Sequence, residues 1–259
     1  MDFLPVFLTG FVVILAAITL LWLISLAIKD SSIVDIFWGL GFVIIALTYA
    51  TQTSGDSGRR LVVVALVVAW GVRLSAHLAR RNLGKGEDFR YAAWRKQYGS
   101  IWWWRSYFHV FLLQGVILWL VSAPLLAAML PSSPPALTFL DGLGIAVWAL
   151  GFFFEAVGDY QLTAFKSNPA NKGKVLNIGL WRFTRHPNYF GDATQWWGFY
   201  LIALAAGGWW TIFSPLFMTY LLLKVSGVAM LETSLKQRKP EYAEYIRKTS
   251  AFIPMPPKK

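Results

Sequence analysis

Cysteine is missing from all 259 residues. Its absence excludes a disulfide framework, a thiolate nucleophile and any thiolate metal site. Histidine is nearly as scarce, with three copies far apart, so no metal centre is assigned. Charge is thin as well: 14% of the residues are charged and only 13 are acidic. There is no Walker A loop, no GxGxxG turn after a strand, no HExxH and no GxSxG elbow. Any nucleotide must therefore be held by helices and loops and not by a Rossmann domain. The first apolar stretch has no basic leader and runs too long for a cleaved signal peptide.

What the chain has in quantity is apolar surface, at 56% of residues, with 14 Trp and 19 Phe and a net charge of +11. That balance predicts an all-α, polytopic membrane protein. Seven spans of about 20 residues are expected, near 3–28, 33–51, 61–79, 107–130, 139–160, 190–206 and 209–231. They form a single integral membrane domain, 1–259, capped by cytosolic loops over a cofactor site. Of the 24 Lys and Arg, 19 fall in the polar stretches 80–106, 161–189 and 232–259. The positive-inside rule then places the N-terminus outside and the C-terminus in the cytosol, compatible with a bacterial inner membrane. Basic charge confined to short loops suits anionic membrane lipid and not nucleic acid. The oligomeric state is left open.

Ionisable residues at bilayer depth are costly unless paired or wetted, by at least ~2.5–3.5 kcal/mol. Asp35 lies in the second span, either as a helix-start charge or as a buried acid. Arg73, His77 and Arg81 recur every four residues and share one helix face. Glu155 and Asp159 do the same in the fifth span, and need a cation, a proton or a ligand's hydroxyls to offset their repulsion. Lys224 is one candidate partner. The run at 181–192, WRFTRHPNYFGD, places Arg182, Arg185, His186, Asn188, Tyr189 and Asp192 at the entry of the sixth span. A topology anchor needs charge but not this polar variety. Residues Gly84–Asp88 read as a partly basic lid, Lys166–Lys174 as a second basic turn, and Trp102–Trp104 as an interfacial aromatic belt.

The second half of the chain resembles the steroid 5α-reductase family. The likeness is carried by Asp159-Tyr160, the Lys166 turn, Gly179-Leu180, Arg185 through Asp192, Gly198, Glu232, Tyr242, Tyr245 and Ile253-Pro254. Before residue 100 it extends only to hydropathy and the Arg73 to Arg90 region. The resemblance implies NADPH entering from the cytosol and a lipophilic, steroid-like enone entering from the bilayer. Asp159, Lys166, Arg182, Asn188 and Asp192 would lie along the dinucleotide, with Arg81 from the third span. Arg73, Arg185, His186, Tyr189 and Glu232 complete the cofactor-side candidates. Family members contact the substrate ketone through a Gln-Glu pair and a tyrosine. The nearest positions here are Val34-Asp35 and Trp70, so the acid is kept in shortened form while the glutamine and tyrosine are not found. Asp35 is the catalytic candidate, as a neutral donor to the ketone or as the residue that orients one, with help from a tyrosine elsewhere.

Two rival functions remain. Membrane methyltransferases that use S-adenosylmethionine share an Arg-His-Pro-x-Tyr entry, but they show paired glutamates where this chain has Leu231-Glu232. The basic turns also suit a phosphorylated ligand better. A non-catalytic carrier of lipophilic molecules would use the same charged layer only for structure.

Overall fold

The computed structural model describes residues 2–131, 134–225 and 242–258. Among these every regular element is helical, and the only pairing of extended backbone is an isolated bridge between Thr184 and Ser250. Five stretches are long and apolar enough to cross a membrane: Phe3–Ile28, Ile33–Gln52, Ser57–Asn82, Phe89–Met129 and Phe139–Ser167. The other two expected spans fall on Pro187–Ala205, a helix of 19 residues, and on the shorter apolar stretch Trp209–Val225. The chain divides into two compact units.

The first unit holds residues 1–138 and 203–211. Helix α1 (Phe3–Ile28) ends with Lys29 in the left-handed region at φ 55°. Asp30 then accepts from the backbone N–H and hydroxyl of Ser32 (2.8 and 2.5 Å), which turns the chain into α2 (Ile33–Gln52). Asp56 caps α3 (Ser57–Asn82) by accepting from the Arg59 N–H at 2.7 Å. Helices α2 and α3 meet backbone to backbone, since a Cβ on Gly71 would fall 2.5 Å from the Gly39 carbonyl. Arg59 is fully buried and donates to the carbonyls of Pro134 and Ala136, so it ties down a loop and is not a solvated outer charge.

The expected fourth span is more broken than a single helix. Helix α4 (Phe89–Tyr98) and a short turn precede α5 (Trp102–Ser106). A π-helical stretch, Tyr107–Leu112, leads into α6 (Leu113–Val121), and α7 (Ala123–Met129) follows with a proline in its first turn.

The second unit holds residues 139–202 and 212–259. Its centre is the pairing of α8 (Phe139–Ser167) with α9 (Pro187–Ala205). Gly144, Gly151 and Gly158 recur every seven residues, and so do Gly191 and Gly198. A Cβ on Gly151 would stand 2.5 Å from the Gly191 carbonyl, and one on Gly144 2.8 Å from the Gly198 carbonyl. The helices touch along their backbones, as small residues allow in an apolar medium. Helix α10 (Phe213–Tyr220) continues into a π-helical stretch, and α11 (Tyr242–Lys248) leads to the C-terminal segment.

Candidate functional site

In the first unit, Asp35 sits in the first turn of α2, where the helix dipole favours an acid. Its two oxygens are met from α4. Arg90 Nη2 lies 2.8 Å from Oδ2, and the Tyr91 hydroxyl donates to Oδ1 at 2.7 Å. Gln114, in the first turn of α6, donates its amide to the Tyr91 oxygen at 3.3 Å. Tyr91 is only 4% exposed. Asp88 caps α4 through the Arg90 N–H and holds the Arg90 guanidinium at 2.8 Å.

A second ion pair supports the first. Arg95 grips Glu87 with two nitrogens, each at 2.8 Å, and Glu87 also accepts from the Ser31 N–H at 2.7 Å. Burial works against the charged Glu87. The bonds from Arg95 and Ser31, with the charge of Arg95, outweigh it and hold the carboxyl below its ordinary value. Asp88 is likewise held low, against burial, by Arg90 and more distantly by Arg81. Glu87 is thus pinned to Ser31 of the α1–α2 turn, within the Gly84–Asp88 stretch where the sequence suggests a lid.

Several expectations change here. Both oxygens of Asp35 accept hydrogen bonds from α4. Tyr91 gives its one O–H to Asp35, so the acid and the phenol form a fixed pair beside Arg90, an arrangement that suits Asp35 as the residue that orients a donor. Trp70, the aligned stand-in for the tyrosine, is fully buried against the Phe42 ring and belongs to the core. Trp102 is no belt residue. It is 2% exposed, lies under Arg95, and donates to Ser31 Oγ at 3.3 Å. Trp103 and Trp104 remain exposed as a belt requires. Arg73 and His77 are half-buried on α3, and exposed Arg81 donates to Asn82.

In the second unit, Asp159 of α8 accepts from Asn188 of α9 at 3.1 Å, and buried Glu155 accepts from Gln195 at 2.5 Å. The pairing of helices seen in the glycine contacts thus also places these acids beside amides. The rest of the 181–192 run is stitched to the C-terminal segment. Arg185 donates to the carbonyls of Ile246 and Thr249, Thr184 to that of Phe252, and the Tyr245 hydroxyl to that of Trp181. Arg185 therefore has a structural task that its sequence position does not reveal. His186 stacks on Tyr189 at 5.7 Å, and Asp192 is buried. Lys166 is exposed. Exposed Arg182 lines a surface pocket of about 440 Å³ with Val175, Asn177, Glu244, Tyr245, Lys248, Thr249 and Pro257. Glu232 lies outside the described residues.

These features define a multi-pass helical membrane protein with polar clusters set at helix starts. The chain belongs to a family described as a protein of unknown function, DUF1295, whose model matches residues 21–249. That family is one of steroid 5α-reductase-like membrane proteins. An uncharacterized protein of Schizosaccharomyces pombe is 26% identical over 263 aligned residues, covering 90% of this chain and 75% of its own. A probable O-methyltransferase of Ustilaginoidea virens, ustE, is 43% identical over 65 residues, which cover 25% of this chain and 22% of the relative. No solved structure matches.

Tyr91 and Gln114 are the site residues that sequence reasoning missed. Gln114 had a signal: it is the only amide or charged side chain between Val110 and Val121. Tyr91 had almost none, because its neighbours are charged and its partner is 56 residues away.

Proposed function

We propose that the protein is an NADPH-dependent reductase that saturates a carbon–carbon double bond conjugated to a ketone in a lipophilic substrate, such as a 4-ene-3-ketosteroid. The observation that carries this reading is the buried Tyr91 hydroxyl aimed by Asp35. The reading includes seven spans, with the N-terminus outside and the C-terminus in the cytosol of a bacterial inner membrane.

NADPH, when bound, supplies a hydride to the β-carbon of the enone. The pocket in the second unit has a donor set that fits phosphate oxygens. Arg182 brings positive charge, and Thr249 and Asn177 bring hydrogen-bonding groups, while Lys248 is paired with the single acid Glu244 at 2.8 Å and the Tyr245 hydroxyl is given to Trp181. As the double bond is reduced, negative charge grows on the ketone oxygen. A donor placed in advance at that oxygen lowers the barrier. Tyr91 is that donor when its O–H turns from Asp35 to the ketone, and Arg90 balances the charge of Asp35.

Purified protein incubated anaerobically with NADPH and a 4-ene-3-ketosteroid should lose nicotinamide absorbance while the steroid gains two hydrogens. Neither change, with protein that melts cooperatively, overturns the reading. The match to a probable O-methyltransferase favours a second one, methyl transfer from S-adenosylmethionine. Retention of tritiated S-adenosylmethionine, with no shift in melting temperature on adding NADPH, would put that reading first.

A further inference from the structure

Three arginines lie on the stretch from α4 to α5, and two of them have carboxylates. Arg90 is paired with Asp35 and Asp88, and Arg95 with Glu87. Arg105 has none. No acidic residue occurs between Asp88 and Asp141, and no carboxylate stands within ion-pair distance of Arg105 among the described residues. Its guanidinium carbon lies 4.1 Å from the centre of the Tyr98 ring, and its Nε is buried without a hydrogen-bond partner. A ring face attracts a cation, but it leaves the five N–H donors of a guanidinium to find oxygens elsewhere.

The contacts of α5 fix the depth of this cation. Trp103 offers its carbonyl to the Trp22 indole at 2.9 Å, and Tyr107 packs on the same indole at 5.0 Å. Trp22 lies six residues, roughly 9 Å, before the end of α1. In a bilayer-spanning chain that is the level where acyl chains give way to headgroups and tryptophans collect. Trp103 and Trp104 are exposed there, and Trp104 meets Phe108, also exposed, edge to face at 6.4 Å. Arg105 is thus a permanent charge at the membrane boundary, held among aromatic rings with no acid to neutralise it. What it lacks is anionic oxygen, and a phosphodiester presents two such oxygens at the spacing of a guanidinium fork.

We propose that Arg105, held by the Tyr98 ring, seats the phosphodiester of one anionic phospholipid whose acyl chains lie over Trp104 and Phe108. The apolar surface beside the cation favours a lipid over free phosphate. Net negative charge is needed because a choline headgroup brings a cation of its own. Lys96 is exposed and basic but has no part in the ring stack, so it separates a seat from general surface charge. The seat does not depend on the reductase reading.

The test is native mass spectrometry of the full chain released from a neutral detergent, after titration with phosphatidylglycerol or phosphatidylcholine. The wild type should hold one phosphatidylglycerol about tenfold more tightly than phosphatidylcholine, the worth of a bond between charged groups. Arg105→Gln should erase that preference, whereas Lys96→Gln, which removes the same charge, should keep it. If Arg105→Gln fails to melt cooperatively, Tyr98→Leu replaces it, and loss of the ring should weaken the first lipid about threefold. Equal losses in the Arg105 and Lys96 variants would reduce the effect to diffuse surface charge and overturn the site. Equal retention of both lipids by the wild type, or displacement of phosphatidylglycerol by excess inorganic phosphate, would overturn it as well.

Discussion

Asp35 of the first unit is met by side chains 55 and 56 residues further along the chain, whereas Arg185 of the second gives its guanidinium to the backbone carbonyls of Ile246 and Thr249. The two units hold these two candidate residues differently. The first pairs side chain with side chain: Asp35 with Arg90 and Tyr91, and Glu87 with Arg95. The second ties the 181–192 run to the C-terminal segment mostly through carbonyls, and its helices, like α2 and α3 of the first, come together at glycines. A side-chain pair can be altered one atom at a time, and its electrostatics serve chemistry. A backbone clamp serves shape. Substitutions in the first cluster should therefore strike rate, and those along the glycine contacts should strike stability.

The largest expected effect is that of Tyr91→Phe. Removing the hydroxyl deletes the donor while the ring still packs against Trp94 at 5.8 Å. Turnover should fall by about 10²–10⁴, the usual worth of a positioned acid. The melting temperature should move little. A variant that kept its rate and lost its fold would erase the distinction between the units. Next is Gly191→Val. A Cβ there meets the Glu155 backbone and the Gly151 carbonyl, neither of which is a flexible side-chain end. Overpacking should cost about 1–3 kcal/mol, read by thermal unfolding followed by tryptophan fluorescence.

Smaller again is Arg182→Ala. Loss of one cation from the pocket should raise KM for NADPH about tenfold and leave kcat alone, since a bond to phosphate is made equally in ground and transition states. NADH, which lacks the 2′-phosphate, should be used no worse than before. An equal loss with both cofactors would move Arg182 from cofactor recognition into the structural set with Arg185.

How much of this was legible depends on range. Long apolar runs carry their own ends, so the expected spans 3–28 and 33–51 agree with α1 and α2 to within a residue at each end. The span at 107–130 hid a π-helical stretch and the Pro124 break, because hydropathy does not register hydrogen-bond pattern. Helix α4 was hidden by its charge. Glu87, Asp88, Arg90 and Arg95 look like a solvated loop until each is seen beside its partner. Asp35 could be singled out because a lone acid near an apolar run is conspicuous, but its neighbours could not. Nothing local to Tyr91 points to residue 35, and Gln114 is 23 residues from the phenol it contacts.

The smallest effect tests whether the first unit's network is held by charge or merely by shape. The Glu87 carboxyl lies below its ordinary value of 4.5, chiefly because Arg95 and Ser31 outweigh the opposing effect of burial. A carboxyl depressed in the folded state contributes stability above the unfolded value and loses it as pH falls through the folded one. The contribution should thus be complete above about pH 4.5 and fade below it. Its size should be about 1 kcal/mol or less, because Arg95 keeps a third of its side chain in water. Glu87→Gln keeps the shape and removes the charge, so its melting temperature should lie below the wild type's at neutral pH. The two curves should converge on acidification below pH 4.5. A constant gap at every pH would mean that Glu87 anchors the turn by geometry alone, and that the charge pairing separating the first unit from the second stops at Asp35.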